Sequence, residues 1–127
     1  MSTLPPIDVA VSDDGSHMEL RDRSGAVSRL SAEQVDALVR DIARRRAGMR
    51  PVQPAEPPLD RDQIHTADNL LWTVQPSPRQ PAVEICVQHP GLGWLILSLS
   101  RAQVEDLTAS LAFSSHEMMG FQMRSRD

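Results

Sequence analysis

The order of apolar and polar positions predicts two blocks of short strands, each followed by one helix. In the first block, Ile7–Val11 and Met18–Asp22 alternate apolar residues with polar or small ones, which is typical of half-buried strands. Ser12–Ser16 contains Asp and Gly, which favour a tight turn, and Ser24–Gly25 marks a second turn. A third strand is therefore expected over Ala26–Leu30, which completes a short hairpin.

A helix is expected directly after that strand. The Ser31 hydroxyl can accept a hydrogen bond from the Gln34 N–H while the Gln34 side chain reaches back to Ser31, the reciprocal arrangement of a capping box. Beyond the cap, apolar residues recur at the spacing of one helical face, and Gly48 supplies a stop. The residues of that face are Val35, Leu38, Val39 and Ile42.

The second half of the chain repeats this plan. Leu30–Leu38 and Leu99–Leu107, which lie 69 positions apart, both lead from a strand into Ser-x-x-Gln and then into an apolar helical face. Ser100 is the expected cap of the second helix, whose apolar face begins with Val104, Leu107 and Leu111. The three strands expected before it cover Leu70–Val74, Val83–Gln88 and Trp94–Leu99.

These patterns predict an α+β protein built from two βββα pseudo-repeats, residues 1–48 and residues 70–127, the second with a Met-rich C-terminal tail. Residues 49–69 contain four prolines and form the expected linker.

Burial of each helical face contributes roughly 5–12 kcal/mol, which is no more than the cost of ordering the helix backbone. We therefore expect the repeats to share one core. Their strands form either one six-stranded antiparallel sheet with both helices packed on one face, or two sheets packed together.

Composition places the chain in a broad class but does not identify its function. All 13 basic residues are arginine, which indicates GC-rich coding and hence a bacterium or its phage. The single cysteine excludes an intramolecular disulfide. No N-terminal secretion signal is present, and no apolar run approaches the ~20 residues of a membrane span. The expected location is the cytoplasm, with no membrane partner.

Candidate catalytic and metal-binding residues are few. The histidines are His17, His65, His89 and His116. None is paired at helical spacing, and a three-residue offset on a strand places Cys86 and His89 on opposite faces. Cys86 lies among apolar strand residues, which favours a small buried hydrophobic side chain over a nucleophile. We therefore expect no catalytic residue, no metal site and no cofactor.

One strand offers more apolar surface than its own helix can cover. If Leu95, Leu97 and Leu99 face the helices, then Trp94 and Ile96 face the other way, and Trp72 can add to whichever face remains open. A second apolar face on a small sheet predicts a seam between the repeats or a dimer surface. The Met-rich tail either docks a partner or folds back over its own sheet. Its candidate contacts are Met118, Met119 and Phe121.

The favoured function is therefore a non-enzymatic protein-binding module, such as an adaptor, inhibitor or accessory protein of phage or mobile-element origin, acting as a homodimer. The expected partner-binding residues are Trp72, Trp94, Ile96, Met118, Met119 and Phe121. The alternative is a nucleic-acid-associated regulator, although a net charge of −4 disfavours nucleic acid. Its basic patch would consist of Arg40, Arg44, Arg45, Arg46 and Arg50. A third interpretation is a small enzyme whose site lies between the repeats and draws histidines from both.

Overall fold

A computed structural model describes residues 6–60 and 68–124. The chain divides into two compact units, residues 1–66 and 67–127. The first unit contains β1 (Ile7–Val11), β2 (His17–Asp22), β3 (Val27–Ser31) and α1 (Ala32–Ala47). The second unit contains β4 (Trp72–Pro76), β5 (Val83–His89), β6 (Gly93–Leu99) and α2 (Arg101–Arg124). The protein is therefore α+β, as the sequence predicts.

The strands form two separate antiparallel sheets, ordered β1-β2-β3 and β4-β5-β6. Of the two arrangements left open above, a single six-stranded sheet is therefore excluded for the described residues. Strand β4 begins at Trp72 rather than at Leu70. The reason is local, because Asn69 has a φ of 52° and turns the chain just before the strand.

Helix α1 has the predicted ends. The Ser31 hydroxyl accepts a hydrogen bond from the Gln34 N–H at 3.2 Å, and the Gln34 side-chain oxygen accepts one from the Ser31 N–H at 2.9 Å. At the other end, the Gly48 N–H donates to the Arg45 carbonyl at 3.0 Å. The capping box and the glycine stop are thus both confirmed, because each depends only on neighbouring residues.

Helix α2 has an equivalent start but a different course. The Ser100 hydroxyl accepts from the Gln103 N–H at 3.3 Å, and the Gln103 side chain accepts from the Ser100 N–H at 3.0 Å. The helix then continues for 24 residues to Arg124. Residues 118–123 are its last turns, and Met118, Met119 and Phe121 are exposed, so the structure does not show the alternative in which the tail folds back over its own sheet. Continuous helical hydrogen bonding holds these residues in line with the preceding turns.

The described residues contain no fully buried side chain. In the first unit, α1 lies against β2 and β3, where Val35, Leu38 and Val39 of its apolar face are half-buried, whereas Ile42 is exposed. In the second unit, the half-buried apolar positions are concentrated on β5 and at the β6–α2 junction. Cys86 is half-buried rather than buried, because the face of the sheet on which it lies is open.

Residues 49–60 of the predicted linker form no helix or strand. Residues 61–67 of the predicted linker lie outside the described residues. Within the described ranges, neither helix is long and apolar enough to cross a bilayer.

Candidate functional site

The register of the second sheet places nine apolar side chains on one face. Directly paired residues of neighbouring strands point to the same side of a sheet. The pairs Trp72–Val87, Val74–Ile85 and Pro76–Val83 continue across β5 to Leu95, Leu97 and Leu99 of β6. We call this the apolar sheet face: Trp72, Val74, Pro76, Val83, Ile85, Val87, Leu95, Leu97 and Leu99.

The apolar sheet face is open to solvent over much of its area. Trp72 is 62% exposed and Leu97 is 48% exposed. The residues of the central strand β5 are half-buried only because their neighbours on both sides shield them. A face of this composition is normally covered by a helix or by a second sheet.

The opposite face of the same sheet is mixed. It carries Thr73, Gln75, Glu84 and Gln88 together with Cys86, Trp94, Ile96 and Ser98. Trp94 and Ile96 are 55% and 62% exposed on this side. Trp72 therefore does not share a surface with Trp94 and Ile96, contrary to the grouping predicted above. Strand pairing decides this, since an offset of one position reverses the direction of every side chain.

Helix α2 carries an apolar stripe that the sequence analysis divided between a helix and a tail. Val104, Leu111 and Met118 recur every seven residues, and Leu107, Ser114 and Phe121 repeat the same interval three positions later. These six residues, all apolar except Ser114, lie along one side of the helix, as in the seam of a coiled coil. We call them the helix stripe. Only Val104 is half-buried, whereas Phe121 is 68% exposed.

The helix stripe begins where the apolar sheet face ends. Val104 and Arg101, in the first turn of α2, line one concavity together with Pro81, Ala82 and Val83. Val83 belongs to the apolar sheet face, so the two apolar surfaces adjoin there. The remaining predicted contact on α2, Met119, is 59% exposed and lies beside the stripe.

The five arginines of the predicted basic patch differ in their surroundings. The Arg45 guanidinium forms an ion pair with Asp41 one turn earlier, at 3.2 Å. Arg46 is half-buried, and its Nη1 has no hydrogen-bond partner and is shielded from solvent. Arg40, Arg44 and Arg50 remain exposed. Of the five guanidinium groups, that of Arg45 is thus paired within the helix and that of Arg46 is partly shielded from solvent.

Histidine and aspartate side chains hold turns together. The His89 Nδ1 accepts hydrogen bonds from the N–H groups of Gly91 and Leu92, both at 3.0 Å, and so stabilises the β5–β6 turn. In the β1–β2 turn, Asp14 Oδ1 accepts from the Ser16 hydroxyl, the Ser16 N–H and the Ser12 hydroxyl. These bonds, led by that of the Ser16 hydroxyl, hold the pKa of Asp14 well below its usual range.

Asp22 plays the same part in the β2–β3 turn. Its Oδ1 accepts from the Ser24 hydroxyl at 2.6 Å and from the Ser24 and Ala26 N–H groups. The hydroxyl bond is the main reason why the pKa of Asp22 is also lowered. These carboxylates are solvent-exposed turn residues, and their roles are structural.

Sequence reasoning missed two features of this surface. The seven-residue spacing of the helix stripe was visible in the sequence, but it has meaning only once residues 101–124 are known to be one helix. The grouping of Trp72 with Leu95 and Leu97 required the strand register.

Within the described residues, no three His, Cys, Asp or Glu side chains are grouped as metal ligands. His65 lies outside those residues.

The chain matches no protein-family model, no curated protein and no solved structure.

Proposed function

We propose that this chain is a non-enzymatic protein-binding module whose second unit supplies the binding surface. The observation that supports this most directly is the apolar sheet face, with three apolar side chains on each of three strands, adjoining the helix stripe. Three strands spaced about 4.8 Å apart and five to seven residues long give roughly 250–300 Å² in projection. A helix of this length adds a strip about 36 Å long and 10 Å wide.

Together these surfaces amount to roughly 600 Å², at the upper limit of the largest apolar patch on a typical soluble monomer. Larger patches usually mark a protein–protein interface, and the area approaches the ~800 Å² per partner of a standard one. The aromatic and methionine side chains on it, among them Trp72, Met118 and Phe121, are types enriched at interfaces. Adaptor, inhibitor and accessory roles all use such a surface.

The shared core of the two units remains part of this proposal. Each unit leaves apolar strand residues exposed, in the first unit Ile7, Val9 and Val11 of β1. Mutual coverage of the units and binding of a separate protein are both ways of removing these residues from water. A homodimer is a third way, and it leaves the remainder of the surface for a different partner.

Affinity capture with the full chain tests the proposal. The wild type should retain a specific protein from a lysate of the source cell, and Leu97→Arg should reduce the captured amount at least tenfold because it places a charge on the apolar sheet face. Phe121→Glu should have a similar effect through the helix stripe. Thr73→Arg is the matched control, since it adds the same charge to the opposite face of the same sheet.

The proposal is wrong if Leu97→Arg and Thr73→Arg capture the same proteins in the same amounts. Circular dichroism of each variant establishes that its strand and helix content is unchanged, so that a lost interaction is not mistaken for a lost fold.

A further inference from the structure

Strand β6 is one of the two outer strands of its sheet, and its free edge lacks the features that normally protect such edges. Among the described residues it pairs only with β5. Charged side chains and prolines commonly prevent edge strands from pairing with another chain. Of the other outer strands, β1 contains Asp8, β3 contains Arg29 and β4 contains Pro76. The seven residues Gly93–Leu99 contain neither a charge nor a proline.

The backbone groups on this edge can be assigned. The Gln88 N–H donates to the Leu71 carbonyl, so the even-numbered residues of β5 direct their N–H and C=O groups towards β4. Odd-numbered residues of β5 therefore bond to β6, through pairs such as Ile85–Leu97. On β6 this leaves the N–H and C=O groups of Trp94, Ile96 and Ser98 pointing out of the sheet.

Helix α2 does not cover this edge. Its first turn lines a concavity with Pro81, Ala82 and Val83, and the helix makes few contacts with β6. Ile96 is 62% exposed at the centre of β6. The outward donors and acceptors are therefore accessible to a further strand.

We propose that β6 pairs antiparallel with β6 of a second copy of this chain, about a twofold axis at Ile96. This inference goes beyond the proposed function, because it uses the free edge of β6 and not the apolar sheet face. In this register Ile96 faces Ile96 of the other copy, and Trp94 faces the small Ser98. Three residue pairs exchange about six backbone hydrogen bonds. No like charges face each other across this pairing, and the large side chain of Trp94 lies opposite the small side chain of Ser98.

The symmetry of this pairing limits it to two chains. A twofold contact uses the same edge on both copies, so the dimer has no second β6 edge with which to continue. Its outer strands are then the two copies of β4, whose outward position 76 is a proline and has no N–H to donate. A closed dimer is therefore expected instead of a fibre.

Cysteine cross-linking of the full chain tests the register. Cys86 lies opposite Ile96 in the same sheet, so the experiment uses the Cys86→Ser background. In that background, Ile96→Cys places two thiols on the twofold axis with Cα atoms about 5.5 Å apart, within the range of a disulfide. Mild oxidation with diamide should convert more than half of the protein into a disulfide-linked dimer.

The matched control is Ser98→Cys in the same background. It lies on the same edge and the same face, but in the proposed register the two residues 98 are four positions out of alignment, about 13 Å apart. Cross-linking below one tenth of the Ile96→Cys yield is expected. Equal yields from both variants, or no dimer from Ile96→Cys, would overturn the proposed pairing.

A proline substitution tests the backbone contribution. Ile96→Pro removes one outward N–H and leaves the hydrogen bonds between β5 and β6 in place, because the odd-numbered residues make them. Sedimentation of the full chain should show at least a tenfold rise in the dimer dissociation constant relative to Ile96→Val. Equal dissociation constants for the two variants would contradict the proposal. If circular dichroism shows that Ile96→Pro has lost its strand and helix content, the cross-linking yields decide whether the proposed pairing is correct.

The two proposals can fail separately. Absence of the Ile96 cross-link, with capture still lost on Leu97→Arg, refutes β6 pairing and leaves the binding function standing. A specific cross-link, with capture unaffected by Leu97→Arg, refutes the binding function and leaves the dimer.

Discussion

Cys86 of β5 and Ile96 of β6 lie directly opposite each other in a pair that exchanges no backbone hydrogen bonds. In such pairs the Cα atoms are about 4.5 Å apart, which is the closest approach in an antiparallel sheet. The pair defines the register of β5 and β6, which places Trp94 on the same face as Cys86, whereas the register of β4 and β5 places Trp72 on the other face.

Ile96→Cys in the otherwise unaltered chain should therefore form an internal disulfide with Cys86. The closed loop is short, so we expect a gain of about 1–3 kcal/mol in the free energy of unfolding. Thiol titration should find no free thiol after oxidation, and tryptophan fluorescence in denaturant should report the gain. Two free thiols after oxidation would show that the register is different. Ile96→Ser controls for the lost side chain.

The Asp14 carboxylate should make the first hairpin sensitive to acid. Its pKa is lowered in the folded chain, so the ionised form stabilises the fold at pH values above the ordinary carboxyl pKa of about 4. As the pH falls below that value towards the lower folded-state pKa, protonation removes this stabilisation. Asp14→Ala should destabilise the β1–β2 hairpin at neutral pH, and its difference from the wild type should fade in acid.

NMR can follow this effect through the Ser16 amide, which donates to Asp14. Asp13→Ala is the control, since it removes a carboxylate from the same turn. A pH dependence of the hairpin that is identical in the wild type and in Asp14→Ala would contradict the assignment.

The His89 imidazole should stabilise the second unit through the β5–β6 turn. His89→Ala removes the acceptor of two backbone N–H groups and should lower the free energy of unfolding by about 1 kcal/mol. His89→Asn should recover much of this loss, because the amide oxygen stands at a similar position to Nδ1 and asparagine commonly bonds backbone groups in turns. Trp72 and Trp94, the only tryptophans of the chain, both belong to this unit and make fluorescence a selective reporter. His116→Ala, an exposed change on α2, should have little effect.

The first unit should not fold by itself. Residues 1–48 include one helix and three strands but no fully buried side chain among those described. So little buried apolar area does not offset the cost of ordering the chain. We expect this fragment to give a poorly dispersed NMR spectrum and a gradual thermal transition. A monomeric fragment with sharp, dispersed signals would remove the case for a shared core.

Local patterns predicted most of the elements. Both capping boxes could be identified from Ser31 and Ser100 because a cap depends on residues only three positions apart. Alternation of polar and apolar residues located all six strands to within two residues of their observed ends.

The interpretation of residues 118–123 as a separate tail, and not as part of α2, had a different origin. Ser114 and Ser115 interrupt the apolar pattern, but they do not break a helix, so residues 118–123 continue it.

The sequence by itself determined the secondary structure, because hydrogen bonding within a helix and side-chain alternation along a strand are local properties. Only the tertiary structure decided which side chains share a surface. Trp72 and Trp94 occur in similar strand segments, yet pairing with Val87 and with Gln88 sends them to opposite faces. Strand pairing also determined that β6 is an outer strand with a free edge. Both outcomes depend on contacts between residues distant in the chain, which local propensity does not encode.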